Sequence, residues 1–259
     1  MPEPLRIGIV AAMEREVAPL LDGWRRRASL SWGEGHGVRG KPLYTSEWPR
    51  RDQASLQAAL VIAGAGAVNA AGSCQSLIDN FSPAMVVSVG FAGALVPELG
   101  VGAVVIPAQV AREGFPAGLN YSTEFGQGIL VSVNRVVGMA EKSELAKQYG
   151  ACAVEMEAAA VAEVARARGV KFAAIKVISD RLDDEAIAIT SPFVRPQGFN
   201  MKGFLFHAAL HPKLWPTVAK LKRSSEQASL ALCRVVQEFL GAPEEFATRF
   251  KLQDVRHGG

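Results

Sequence analysis

The chain has 259 residues, 49% of them apolar and 20% charged, and its 28 basic and 25 acidic side chains leave a formal net charge of +3. That length holds one large α/β domain or two small ones, and the composition excludes a disordered, charge-solvated chain. So small a basic excess gives no electrostatic footprint for nucleic acid.

A strand is predicted over Arg6–Ala11, and its apolar run is too short for the core of a signal peptide. The helical period then runs over Glu14–Trp24, and Trp32–Gly40 (WGEGHGVRG) reads as a glycine-rich loop or hairpin connection. A strand over Ala58–Ala63 leads through Gly64-Ala65-Gly66 into a helix over Val68–Asn80. Strands follow over Met85–Gly90, Ala103–Pro107 and Gly128–Val133, then helices over Ser143–Tyr149 and Glu155–Arg168, the latter closed by Gly169. The last strand of the series is Phe172–Ile178. Several of these strands are apolar throughout, as strands covered on both faces are, and their alternation with helices is the α/β signature.

From about Ser191 the character changes: Pro192, Pro196 and Gly198 break the chain, and Met201–Leu240 runs long, basic and helical, interrupted by Pro212 and Pro216. An exposed tail is expected after Pro243. The chain thus divides into an α/β domain over 1–190 and a helical extension over 191–259 packed on it. No run approaches the roughly 18 apolar residues of a membrane span. Cys74, Cys152 and Cys233 are odd in number and widely spaced, which reads against a disulfide framework and for a cytoplasmic location.

Glycines and acids carry the chemical signal. Gly64-Ala65-Gly66 joins a strand to a helix, as an anion cradle does, but Asn69 stands where a dinucleotide fingerprint needs its third glycine. A nicotinamide-dependent enzyme is therefore disfavoured. Gly90-Phe91-Ala92-Gly93-Ala94 ends a buried strand, the edge where α/β proteins gather ligands, and Phe91, Ala92 and Gly93 are candidate substrate contacts. Glu14 follows the first strand, Asp180 ends the apolar strand FAAIKVIS, and Glu155 and Glu157 flank Met156 inside an apolar segment. On a helix, residues two apart cannot share one solvent stripe, so one of that pair points inward and needs donors. His207 and His211 lack the glutamate of a metalloprotease motif, and no metal site or bound cofactor is expected.

In order, IGIVAAMEREV, VIAGAGAVNAAG, VVSVGFAGAL, AVEMEAAAVA and AIKVISD resemble the nucleoside phosphorylase/nucleosidase superfamily, most nearly the branch with methylthioadenosine/S-adenosylhomocysteine nucleosidase, futalosine hydrolase and hopanoid-associated phosphorylases. The resemblance spans roughly residues 6–183 and implies a three-layer α/β sandwich, a central mixed sheet flanked by helices, with the C-terminal helices appended. It implies cleavage of the N-glycosidic bond of a 5′-substituted purine (adenine) nucleoside. Asp180 then matches the acid that protonates the leaving base, Glu157 the carboxylate on the ribose hydroxyls, Met156 the residue packed on the sugar and Glu14 the base that activates water. Asn134, Val136 and Ser179 join the substrate-binding set by the same resemblance, which also implies a homodimer.

The departures bear on the nucleophile. Ser88 and Phe91 stand where the phosphorylases hold phosphate with Arg and Ser, leaving Arg15, Arg135 and Lys176 as substitutes. Glu14 and the missing cradle favour water; GILVSVNRVVGMAEKSELAKQYG and the C-terminal stretch look closest to the hopanoid-associated branch, which favours phosphate as co-substrate. That branch acts on adenosylhopane, a lipid-tailed nucleoside, and Phe204, Phe206, Leu210, Leu214 and Trp215 with Lys202, Lys213, Lys220, Lys222 and Arg223 compose a candidate peripheral membrane contact. The alternative, which the interruptions at Pro212 and Pro216 favour, is that these side chains pack on the α/β domain or a second subunit. Val136 replaces an aromatic beside the base, and Val110–Gly128 is shorter than its nucleosidase counterpart. The competing reading is a non-catalytic nucleoside-binding protein, against which the leaving-group acid Asp180 argues.

Overall fold

The computed structural model describes residues 3–30, 41–50, 54–116, 118–182, 194–195, 198–199, 203, 211 and 215–250, without the side chains of 28–30, 194–195 and 198–199. One mixed sheet organises it. Strands β1 (Leu5–Ala11), β4 (Leu56–Ile62), β5 (Met85–Ala94) and β11 (Lys171–Asp180) form a parallel centre in the order β4-β1-β5-β11. On the β4 side, β3 (Lys41–Trp48) and then β2 (Arg25–Leu30) add antiparallel. β5 is long enough to serve two neighbourhoods: Gly93 and Ala94 at its end pair antiparallel with β10 (Ala153–Glu155). Beyond β10 the sheet continues through β9 (Ile129–Ser132), β7 (Gln109–Arg112) and β8 (Tyr121–Ser122), and β6 (Val104–Val105) borders β11.

Both faces of the sheet are covered. Helices α2 (Ala67–Phe81) and α4 (Ala158–Ala167) bury Leu77, Val161 and Ala165 with Val61, Val86 and Ala174 on one face. On the other, α1 (Glu14–Val17) and the long helix α5 (Trp215–Gly241) bury Val17, Leu232, Val236 and Phe239 with Ile9, Val87 and Ile175. A third cluster places Leu145 and Tyr149 of α3 (Met139–Tyr149) against Val131 and Val154. Helix, sheet and helix layers follow, and this explains why the central strands carry apolar residues at successive positions.

Local chemistry shifts several predicted boundaries. The helix expected over Glu14–Trp24 stops at Val17 and tightens into a 3-10 turn over Ala18–Leu20, because Pro19 has no N–H to give and Gly23 (φ 83°) reverses the chain. The helix expected from Glu155 begins only at Ala158: Glu155 ends β10, and its carboxylate accepts the N–H groups of Glu157 (3.0 Å) and Ala158 (2.9 Å) that open the helix. α3 starts four residues early, at Met139, where the Glu141 carboxylate accepts the N–H of Gly138 (3.2 Å). From Pro243 to Arg249, where an exposed tail is expected, the chain is helical. Helix α6 (Pro243–Arg249) buries Phe246 against Phe125 and Phe239, with ring centroids 5.7 and 5.4 Å apart. The Trp32–Gly40 connection, His207 and most of Met201–Leu214 lie outside the described residues. Among the described residues, no helix is long and apolar enough to cross a membrane, and no cluster of three His, Cys, Asp or Glu is placed to hold a metal ion.

Candidate active site

A cavity of about 910 Å³ opens at the carboxyl ends of β1, β5 and β11, where α/β folds bind ligands. Its polar wall is assembled from four segments: Met13, Arg15 and Glu16 after β1, Phe91 to Gly93 at the end of β5, Glu155 to Glu157 between β10 and α4, and Ser179 and Asp180 at the end of β11. The opposite wall comes from α5, through Val218, Leu221 and Leu230 with Lys222, Ser225, Glu226 and Ser229.

Glu16 is buried, and its two carboxylate oxygens accept the backbone N–H groups of Met13 (2.9 Å) and Phe91 (3.3 Å). Burial raises its pKa above the ordinary carboxylate range, against the pull of those amides and of the Lys176 charge. A Cβ on Gly90 (φ 152°) would lie 3.2 Å from Glu16 Oε2, so the glycine there makes room for a carboxylate. Gly93 does the same for Asp180, whose Oδ2 would stand 2.7 Å from a Cβ. The glycine cluster of β5 thus accommodates two acids of the cavity wall.

Glu157 caps α4 and its Oε1 accepts the N–H of Gly66 (2.7 Å), which gives the Gly64-Ala65-Gly66 turn its use. Burial and the neighbouring Glu155 charge push the Glu157 carboxyl up to about 8, with Lys176 pulling the other way. Glu155 is fully engaged inside the protein. It accepts from Ser132 Oγ, from the α4 amides and from Lys176 Nζ at 2.9 Å. Lys176, 1% exposed, also donates to Ser88 Oγ (3.0 Å); burial works against its charge, but Glu155 and Glu157 outweigh it and hold the ammonium above its usual range. Removing one partner of such a buried pair costs about 3–5 kcal/mol, so Glu155 and Lys176 hold the frame on which Glu157 sits.

A bulge in β11 sets the last acid. Ile178 pairs with Ala92 and Asp180 with Gly93, so Ser179 is the extra residue, and the kink turns the strand end toward the cavity. Asp180 Oδ1 accepts from Ser179 Oγ (2.9 Å), and Oδ2 forms an ion pair with Lys142 Nζ (2.5 Å), both side chains being buried.

Of the residues singled out in the sequence, Asp180, Glu157, Met156, Glu155, Phe91, Ala92, Gly93, Val136 and Ser179 all line this cavity. Glu14 and Asn134 do not: both are exposed, Glu14 on the outer side of α1 and Asn134 just past β9. The carboxylate after β1 that reaches the cavity is Glu16. A signal for it was present, since Val17 and Leu20 mark the inward side of that turn and Glu16 shares it. Lys142 and Lys176 were also unassigned to these carboxylates. Among the substitutes for a phosphate cradle, Lys176 is held by Glu155 and Ser88, Arg135 is bonded to Glu113 (2.8 Å) and Glu141 (3.1 Å), and Arg15 is exposed at the cavity wall.

An α/β sheet closed on both faces, with an acid-lined cavity at its strand ends, defines the class. The sequence profile of the phosphorylase superfamily matches residues 6–125 and 117–192, and the chain belongs to that superfamily. Its fold is shared with solved nucleosidases. The S-adenosylhomocysteine nucleosidase of Streptococcus pyogenes, in complex with 5-methylthiotubericidin, superposes with a TM-score of 0.67 at 20% identity, over 93% of this chain and 98% of the other. The methylthioadenosine/S-adenosylhomocysteine nucleosidase of Neisseria meningitidis, in complex with methylthio-immucillin-A, gives 0.66 at 22% identity over 92% and 99%. Futalosine hydrolase of Helicobacter pylori gives 0.62 at 20% identity over 90% and 98%.

Proposed function

We propose that this chain hydrolyses the N-glycosidic bond of an adenine nucleoside that carries a large apolar 5′ substituent. The observation that carries the reading is the convergence of Glu16, Glu157 and Asp180, from three separate turns, on one cavity. Each acid has a task in such a cleavage. Asp180 supports a proton on the departing base; Glu157 accepts from the ribose hydroxyls and orients the sugar; Glu16 takes a proton from the attacking water. Burial raises the basicity of Glu16 and suits it to that work near neutral pH. In the step, the C1′–N9 bond breaks with its electron pair passing to the base, and the water oxygen bonds to C1′.

Water is favoured over phosphate because the amides of Met13 and Phe91, donors an anion would use, are already taken by the Glu16 carboxylate. Two of the three candidate cations for a phosphate cradle are engaged as well, Lys176 by Glu155 and Arg135 by Glu113. A dianion beside buried carboxylates would meet repulsion. Phosphorolysis keeps one supporting feature, Arg15 on the cavity wall. The size of the cavity and the apolar face of α5 support a long hydrocarbon substituent, and with it the hopanoid-type nucleoside that the sequence resemblance implies.

Incubation of methylthioadenosine, S-adenosylhomocysteine and a 5′-alkyl adenosine, with and without phosphate, tests the reading by product analysis. Free adenine and a free ribose derivative without phosphate are expected. A ribose 1-phosphate formed only with phosphate replaces water by phosphate, and no adenine under either condition overturns the cleavage. A homodimer and a peripheral membrane contact belong to the same reading. Val68 (80% exposed) and Leu119 (61% exposed) are apolar side chains a second copy would cover. Exposed Trp215, Lys220, Lys222 and Arg223 line the start of α5. Sedimentation velocity tests the first, and co-sedimentation with anionic vesicles at low and high salt the second.

A further inference from the structure

The Lys142–Asp180 pair is more than a structural brace. Lys142 lies in EKSELAK on α3, a segment whose other charges face water, yet it is 2% exposed and lines the cavity. Its Nζ donates to Asp180 Oδ2 (2.5 Å) and to the carbonyl oxygen of Arg181 (2.7 Å), so two of its three N–H groups point at the end of β11. A bare carboxylate is a poor partner for a departing base, which needs a proton as the glycosidic bond breaks. The buried ammonium of Lys142 already donates to Asp180 at 2.5 Å and offers it a proton.

We propose that Lys142 supplies the leaving-group proton, with Asp180 relaying it to the purine. This rests on the cleavage reading given above and adds to it the source of the proton. As C1′–N9 breaks, its electron pair passes into the base, N7 takes a proton from Asp180, and Asp180 takes one from Lys142, which is left as a neutral amine. The water that attacks C1′ gives its proton to Glu16, and Lys142 is recharged from solvent after product release. Lys142 acts through Asp180, so its role is to load and position that carboxyl.

The relay has a consequence in pH. An ammonium keeps its proton into alkaline solution, whereas a carboxyl left to itself loses it at lower pH. The other charged groups near Lys142 do not share its position. Glu141, its neighbour on α3, is held by Arg135 and the Gly138 amide; at the end of β11 Lys142 bonds Asp180 and the Arg181 carbonyl. Arg15, Glu16, Glu155, Glu157, Lys222 and Glu226 stand elsewhere on the cavity wall.

The test compares kcat/KM for a 5′-substituted adenosine from pH 5 to 9.5 in the wild type and in Lys142→Met. In the variant the ammonium that supplies the proton is gone. Activity is therefore expected at the acid end, with the alkaline limb displaced downward and activity falling roughly tenfold per pH unit beyond it. If Asp180 instead supplies its own proton and Lys142 is a brace, removing the ammonium 2.5 Å away makes that carboxyl harder to ionise, and the limb moves upward. A variant limb that stays in place or moves upward overturns the proposal, as does a folded variant with no activity at any pH. If Lys142→Met does not fold, Lys142→Gln is read in the same way. Absence of adenine release by the wild type overturns the cleavage reading itself, a result distinct from an unshifted limb.

Discussion

On the strand-end wall of the cavity, Glu16, Glu157 and Asp180 are each fixed by a backbone amide, a hydroxyl or an ammonium at 2.5–3.3 Å. The wall supplied by α5 faces them with Val218, Leu221 and Leu230 and holds its place by other means. Its lower half is locked into the core through Leu232, Val236 and Phe239, while Ser229 Oγ donates to the carbonyl of Glu16 (3.1 Å). One wall fixes directions for charge and proton transfer; the other adds non-directional apolar area through Val218, Leu221 and Leu230, beside Lys222 and Glu226. A substrate with a reactive polar end and an unreactive apolar end matches that division, and the two walls are open to separate mutation.

The largest effect is expected on the directed wall. Asp180→Asn removes the group that hands a proton to the base and is expected to lower adenine release by about 10²–10⁴-fold. It also leaves Lys142 without its carboxylate, so near-UV circular dichroism should accompany the assay; turnover close to the wild-type rate in a folded variant would remove Asp180 from the reaction. Next in size is Glu157→Gln. The wild type should prefer a ribonucleoside over its 2′-deoxy counterpart by about 10–100-fold, from charge-assisted bonds of about 1.5–3 kcal/mol each. In Glu157→Gln most of that preference should vanish. Equal preference in both proteins assigns the ribose to another residue.

These two acids were readable in the sequence because each interrupts or ends an apolar run, Asp180 after FAAIKVIS and Glu157 within AVEMEAAAVA. The central strands were readable for the same reason. Glu16 was harder: with Glu14 two residues away, the choice turned on which side of a four-residue helix faces inward, and Pro19 cut that helix short. Lys142 gave no local sign, since its burial depends on the end of β11, 38 residues further on. Lys176 did give one, as a lysine inside an otherwise apolar strand needs a carboxylate close by. β2 and β3 escaped because their polar, partly exposed residues lack the apolar run of the centre.

A smaller effect belongs to the apolar wall. Leu221→Ala should weaken kcat/KM for a nucleoside with a long alkyl substituent by roughly tenfold, in line with about 1.5–3 kcal/mol for burying a leucine-sized side chain. Methylthioadenosine, whose substituent is short, should be affected far less. If both substrates lose equally, α5 supports the directed wall and does not read the substituent, and the contrast between the walls fails.

The smallest effect is on stability, and its sign follows from Glu157. Its carboxyl is raised to about 8 in the folded protein, above the ordinary value of 4.5, so the folded state holds this proton more tightly than the unfolded one. The stability linked to this group is therefore fully present below pH 4.5 and is lost as pH rises through about 8. Glu157→Gln cannot ionise and escapes that loss. The free variant should match or trail the wild type near pH 4.5, gain on it steadily between about 5 and 8, and hold a constant lead of a few degrees in Tm above that. A ribonucleoside that donates to the carboxylate should narrow the gap by stabilising the ionised form in the wild type alone. A Tm difference that stays flat with pH would mean that Glu157 titrates alike in both states. The directed wall would then be no more strained than the apolar one facing it.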